Sequence, residues 1–227
     1  KLAFIFVLAL VLCMALLCIG AGATAGDGTI YINSVDQLKM IGADNIYYPL
    51  DGDYVLTANI ELGGTNQWTP IGTSDDPFTG IFDGGNHTIS GLYIDSSSEY
   101  AGLFGYVGRG GMIKGLTVEG KITVIGSTSC VGGIAGRVDG TEVSEMSVLT
   151  DSDDSETGII DCTSKVTINV TCNGSYILSV GGIVGSCRGA DISGCENYGA
   201  VSVVGASEPD IDVNIGGIVG YSGFSTL

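Results

Sequence analysis

The sequence predicts an all-β chain in which successive passes stack into a β-solenoid, closed at its N-terminal end by a short helix. Three observations carry the prediction. A glycine-bounded block recurs: Gly102-Leu103-Phe104-Gly105, Gly133-Ile134-Ala135-Gly136, Gly182-Ile183-Val184-Gly185 and Gly217-Ile218-Val219-Gly220. The segments between blocks are short, β-branched and bounded by Gly, Asn, Asp and Ser, as in Ile122-Thr123-Val124-Ile125 and Val201-Ser202-Val203-Val204, which is strand chemistry. No long stretch after residue 45 shows helical periodicity. Recurrence at intervals of roughly 20–35 residues, with two or three strands in each, is the mark of a stacked repeat.

The first element is an address. Leu2 to Ile19 is an apolar run of 18 residues, preceded by Lys1 and followed by Ala23-Thr24-Ala25. A basic start, an apolar stretch and a small-x-small site make residues 1–25 a signal peptide cut after Ala25. The run is also near membrane-spanning length, so an uncleaved anchor is the competing reading; the small residues before Ala25 favour cleavage. Removal leaves 202 residues carrying seven basic and 25 acidic side chains, net −18. Export permits disulfides, and the five cysteines left are Cys130, Cys162, Cys172, Cys187 and Cys195, an odd number. Sequons at Asn86, Asn169 and Asn173 are possible glycosylation sites of an exported chain.

Residues 26–78 form the N-terminal cap and lead-in. Ser34-Val35-Asp36-Gln37 reads as a capping box, with Val35, Leu38 and Ile41 on one helical face, which predicts a helix over 34–43. A cap of this kind covers the exposed core and unpaired strand edges at the end of a stack. A strand follows near Tyr54 to Leu62.

Residues 79–227 form the repeat stack, which is expected to continue past the last block. The first glycines of the blocks lie 31, 49 and 35 residues apart. The aliphatic residue after the first glycine, Leu103, Ile134, Ile183 or Ile218, is expected to point inward as the motif core. The looser next position, Phe104, Ala135, Val184 or Val219, suits a less constrained face. The glycines would serve positive φ at corners and close approach of stacked backbones. A second pattern, two apolar residues three apart, recurs as Ile89/Leu92, Ile113/Leu116, Val143/Met146, Ile159/Cys162 and Ile192/Cys195. Two copies fall inside the 49-residue interval, which on that count holds two turns. Cys162 and Cys195 take the place of apolar core residues. If their turns are adjacent they also fall within disulfide reach, about 4.4–6.8 Å between Cα atoms.

These blocks resemble the GLUG-motif family of bacterial and archaeal cell-surface proteins. The preceding segments, Tyr54 to Leu62, Trp68-Thr69-Pro70-Ile71-Gly72 and Phe78-Thr79-Gly80-Ile81-Phe82-Asp83-Gly84, look like that family's lead-in. The resemblance covers roughly residues 30–223 and implies a right-handed parallel β-helix, pectin-lyase-like, on an exported, adhesin-like protein. It implies no catalytic residues and no cofactor, and its partners would be extracellular glycans or surface proteins.

Charge and composition agree. A net charge of −17 opposes nucleic acid and anionic membrane as partners, and no membrane insertion is expected after signal cleavage. Hydrophobic content of 44% is too high for a disordered chain. An enzyme on this scaffold needs clustered acids with a base on one face. Asp75-Asp76 and Asp153-Asp154 lie in polar turns, His87 stands alone, and the basic residues are scattered, so the expected reading is non-catalytic. Four carboxylates in Asp151 to Glu156 lack the spacing of a calcium loop, and no metal is expected. Exposed tyrosine rows on one face would favour glycan recognition, while featureless faces would favour a spacer.

Overall fold

The computed structural model describes residues 28–95, 99–126, 130–140, 156–172, 178–205 and 212–223. The predicted signal segment, Asn173, Val143/Met146 and Asp151 to Ser155 lie outside them. Among the described residues there are one six-residue helix and 20 strands, and the strands pair in parallel throughout. No helix among them is long and apolar enough to cross a membrane.

Four parallel sheets result. The first runs Ile30–Ile32, Tyr54–Leu56, Ile81–Asp83, Met112–Lys114, Gly158–Ile160 and Asp191–Ser193. The second runs Ile60–Glu61, Thr88–Asp95, Thr117–Gly126, Thr163–Cys172 and Glu196–Asn197, with Val201–Val204 also on Thr163–Cys172. The third holds Tyr100–Ala101, Cys130–Gly132, Leu178–Gly181 and Val213–Gly216; the fourth holds Phe104–Val107, Ala135–Asp139, Val184–Arg188 and Val219–Gly223. From Ile81 onward the chain visits the first, second, third and fourth sheets in that order, four times over. The lead-in belongs to the same sheets, since Tyr54 pairs with Phe82 and Ile60 with Ile89.

Strand register corrects two expectations. Ala135 stands opposite Val184 and Ile113 opposite Ile159. The 49-residue interval is therefore one pass with an insertion, not two turns. Phe82, not Ile89, stands opposite Ile113, and Ile89 pairs with Val118. The Ile89/Leu92 spacing is a coincidence of strand alternation around a register shift between those two residues.

Alternation puts one side of each strand inside. In Thr163–Cys172, Ser164, Val166, Ile168, Val170 and Cys172 are buried while the residues between them are exposed or half-exposed, the period-2 signature of a one-sided strand. Columns of like residues then run through the passes: Phe82, Ile113, Ile159 and Ile192 in the first sheet, and Ile94, Ile122, Ile168 and Val201 in the second. Near the N-terminal end the core is aromatic, with Phe104 centred 5.1 Å from Phe78 and 5.3 Å from Phe82.

Leu103, Ile134 and Ile183 are wholly buried, as expected of a motif core, whereas Ile218 is only partly buried. The following position is not the looser one: Phe104, Ala135 and Val184 are also at 0% exposure.

The motif glycines serve the close backbone approach that the sequence suggests, but not positive φ. They let the third-sheet strand and the fourth-sheet strand touch backbone to backbone. A Cβ on Gly132 would sit 2.1 Å from Ala135 O and 2.8 Å from Gly185 N; one on Gly181 would sit 2.0 Å from Val184 O and 2.7 Å from Gly220 N. Packed sheets ordinarily stand roughly 10 Å apart, so only glycine fits this seam.

The helix spans Val35–Met40, shorter than the predicted 34–43. Ser34, extended at φ −143° and ψ 157°, accepts from Gln37 N at 3.4 Å, while Gln37 Oε1 accepts from Asn33 N at 2.9 Å. Reciprocal capping of this kind satisfies two orphan donors. Leu38 and Ile41 join the core cluster and Val35 packs on it. Past the helix the chain turns at Gly42 with φ +77°, a left-handed position that suits glycine.

Candidate functional site

The glycine seam brings its flanking residues face to face. On the third sheet Tyr100, Cys130, Ser179 and Asn214 form one register column. On the fourth, Tyr106, Arg137, Ser186 and Tyr221 form another. The contacts cross between the columns. Tyr100 meets Tyr106 edge-on, centroids 5.2 Å apart. Cys130 is hydrogen-bonded to Ser186 and lies within the field of Arg137. This line sets phenols, a thiol, hydroxyls and a guanidinium beside a largely apolar interior.

Arg137 is its centre. Its guanidinium stacks 5.6 Å from the Tyr106 ring centroid, and Nη2 donates to Asp139 Oδ2 at 2.7 Å. Tyr106 OH donates to the same carboxylate oxygen at 3.3 Å. Cation–π stacking and a charge-assisted hydrogen bond together fix the planar group in two directions. Burial is the largest single influence and opposes the Arg137 charge, but the Asp139 hydrogen bond together with the fields of Tyr106, Asp139 and Cys130 outweighs it and holds the guanidinium above its ordinary pKa. Burial, then Glu99, pushes the Tyr100 phenol up. Burial also pushes Tyr106 up, against Arg137. Both phenols therefore remain donors at neutral pH.

Cys130 is 5% exposed, and burial pushes its thiol up from 9.0 to about 11, against the pull of Arg137 and Ser186. A nucleophilic cysteine needs the opposite, a thiol lowered toward neutrality. The raised folded value means that this thiol favours folding fully below pH 9.0 and stops doing so as pH rises through about 11. In the native chain, Cys130 alkylation by iodoacetamide should stay slow at pH 8.5, close to the ordinary thiol value of 9.0, and accelerate only toward about pH 11. Peptide mass mapping of alkylation at stepped pH checks this; rapid native-state labelling at pH 8.5 would contradict it.

A concavity lies between the helix and the lead-in. It has a volume of about 580 Å³ and is lined among others by Lys39, Leu50, Trp68, Pro70, Gly72 and Asp76. Trp68 is only 3% exposed and donates from Nε1 to Leu103 O at 2.9 Å, so its ring serves the fold and not the groove.

The residues singled out in the sequence are dispersed. Asp75 and Asp76 are exposed in a turn closed by Thr73, whose N donates to Asp76 O at 2.9 Å. His87 Nδ1 lies 3.3 Å from Asn59 Oδ1. Asn86 is exposed with φ 60°, and Asn169 is half-exposed on a strand between Thr123 and Ser202. Tyr31, Tyr47, Tyr198 and Tyr221 are exposed, but on different segments. Cys162 and Cys195 do come together on adjacent passes, because Thr163 pairs with Glu196. Among the described residues no three His, Cys, Asp or Glu side chains converge as for a metal ion. The seam residues were missed by motif reading. Their signal is positional: one residue after each block stand Tyr106, Arg137, Ser186 and Tyr221, and two or three residues before it stand Tyr100, Cys130, Ser179 and Asn214.

The sequence matches no established family profile. Over 105 residues it is 32% identical to a protein of Evansella cellulosilytica provisionally named a Gly-rich membrane protein, covering 45% of this chain and 12% of the relative. Over 127 residues it is 36% identical to halomucin of Haloquadratum walsbyi, covering 53% of this chain and 1% of the relative. The chain thus corresponds to a small part of each. Its fold is shared with a crystal structure from Bacteroides ovatus provisionally titled an immunoglobulin A1 protease, at a TM-score of 0.57 and 22% identity, covering 89% of this chain and 64% of that one.

Proposed function

We propose that the chain is a non-catalytic, repeat-bearing segment of an exported, surface-displayed protein of the GLUG-motif kind, wound as a right-handed parallel β-helix. The observation that carries the reading is the repeated visit to four parallel sheets, in register, with aliphatic columns inside and net charge −17 on the chain. Such a body is built to hold its shape and to extend by adding passes. A strong acidic surface keeps strand-rich bodies from pairing with one another. The names of the relatives, a membrane protein and halomucin, support display at a cell surface. Recognition of extracellular glycans or surface proteins rests on the family resemblance, since the exposed tyrosines stand on different segments, and the raised Cys130 thiol and the Asp139-paired Arg137 suit structure better than turnover.

The test is a glycan array read with the purified chain, alongside digestion assays on polysaccharides and on immunoglobulin A. Saturable binding to a subset of glycans, with substrates left intact, is the expected result. Release of reducing ends, unsaturated uronates or peptide fragments would overturn the non-catalytic reading and favour a carbohydrate-active or proteolytic enzyme on the same scaffold.

A further inference from the structure

Cys162 and Cys195 occupy one position on successive passes. Thr163 is in register with Glu196, and Ile159 with Ile192, so the two cysteines are direct neighbours between those pairs. In-register parallel strands lie about 4.8 Å apart, inside the roughly 4.4–6.8 Å Cα separation that a disulfide needs. The thiols already face each other. Cys195 Sγ lies 3.3 Å from Ile159 O, reaching down to the pass that carries Cys162, and the two thiols are hydrogen-bonded to one another. The other three cysteines stand in register with other residue types: Cys130 with Tyr100 and Ser179, Cys172 with Gly126, and Cys187 with Val138 and Ser222. The pair also sits where a staple would matter. Cys162 is fully buried and Cys195 half-buried, at the join between the well-buried passes and the last one, whose Val204 and Ile215 are 54% and 55% exposed.

We propose that Cys162 and Cys195 form a disulfide that staples the last pass to the pass beneath it. Cys195 is the attacking group: it is the more exposed of the two, and the hydrogen bond from Cys162 lowers its pKa while raising that of Cys162. The oxidant is another disulfide. The Cys195 thiolate attacks one sulfur of that disulfide and expels the first thiolate. The Cys162 thiol then gives up its proton and attacks the Cys195 sulfur, expelling the second. Two protein thiols are oxidised to one disulfide and one external disulfide is reduced to two thiols. The inference stands on strand register and not on surface display, so it can fail or succeed independently of the functional reading.

The experiment uses the full chain, reduced and then equilibrated in a buffer of oxidised and reduced glutathione. It is quenched with iodoacetamide in guanidinium and peptide-mapped. The expected map contains the Cys162 peptide linked to the Cys195 peptide, with Cys130, Cys172 and Cys187 alkylated. Oxidation should raise Tm by roughly 5–10 °C. That rise should vanish in Cys195→Ser, a substitution at the more exposed member that should keep the β-type circular dichroism of the parent. Recovery of Cys162 and Cys195 as alkylated peptides, or of either linked to a different cysteine, overturns the proposal. The wild-type map decides even if the variant fails to fold.

Discussion

Gly182→Ala should destabilise the chain by about 3 kcal/mol, whereas Gly217→Ala, at the same place in the next block, should be neutral or stabilise it by up to about 1 kcal/mol. Neither glycine uses a left-handed backbone, so alanine is locally acceptable at both. The difference comes from what the neighbouring pass and the second sheet place beside each glycine. A Cβ on Gly182 would sit 2.2 Å from Gly217 O and 2.2 Å from the Asn197 amide carbon. The first is backbone and cannot rotate away. The second is tied to Gly199 through Nδ2 to O at 3.1 Å and from N to Oδ1 at 3.0 Å. Gly133 is equally closed, with Ser164 Oγ at 2.2 Å and Gly182 O at 2.5 Å, while nothing lies within 4 Å of Gly217. Alanine at Gly217 should then gain only by restricting the unfolded chain. Guanidinium unfolding followed by circular dichroism reads both variants. Equal losses would show that the glycines answer to a local turn and not to the neighbouring pass.

This contrast marks how much of the fold can be read from the residues. The glycine blocks, the β-branched runs and the Ser34–Gln37 cap are local patterns, and each is where the sequence puts it. Register is not local. Phe82 and not Ile89 stands opposite Ile113 because Thr88–Asp95 pairs in a different sheet, and a one-residue slip exchanges the faces of a strand without changing its composition. The 49-residue interval misleads for the same reason. Val143/Met146 matches the apolar spacing as well as Ile159/Cys162 does, and only pairing decides which is a rung. The seam cluster was harder still. Arg137 and Tyr106 are 31 residues apart and Tyr100 belongs to another sheet. They meet because glycines on both strands remove the side chains that would otherwise hold the sheets apart. Cys162 and Cys195 were legible because their spacing from Ile159 and Ile192 is identical, so one register relation fixes both.

The depth of each pass in the stack, and not the identity of its residues, should set its stability. Ile183→Ala should cost about 3–4 kcal/mol, as for a fully buried aliphatic that leaves a cavity between rigid neighbours. Ile218→Ala should cost less than about 1.5 kcal/mol, although the two isoleucines hold the same place in consecutive blocks. Ile183 is at 0% exposure and its N donates to Ile218 O at 2.9 Å, so it is covered from the following pass. Ile218 is only partly buried, beside a concavity it shares with Ile192, Cys195 and Val219. Truncating a side chain that already touches solvent removes less apolar contact and leaves a site that can relax. Amide exchange should follow the same order, with Val184–Arg188 protected to near the global unfolding free energy and Val219–Gly223 opening more readily. If the two substitutions cost the same, the last pass must be covered in solution by something that buries Ile218 as deeply as Ile183. In that case oxidising Cys162 and Cys195 would add little, because the pass they join would already be held.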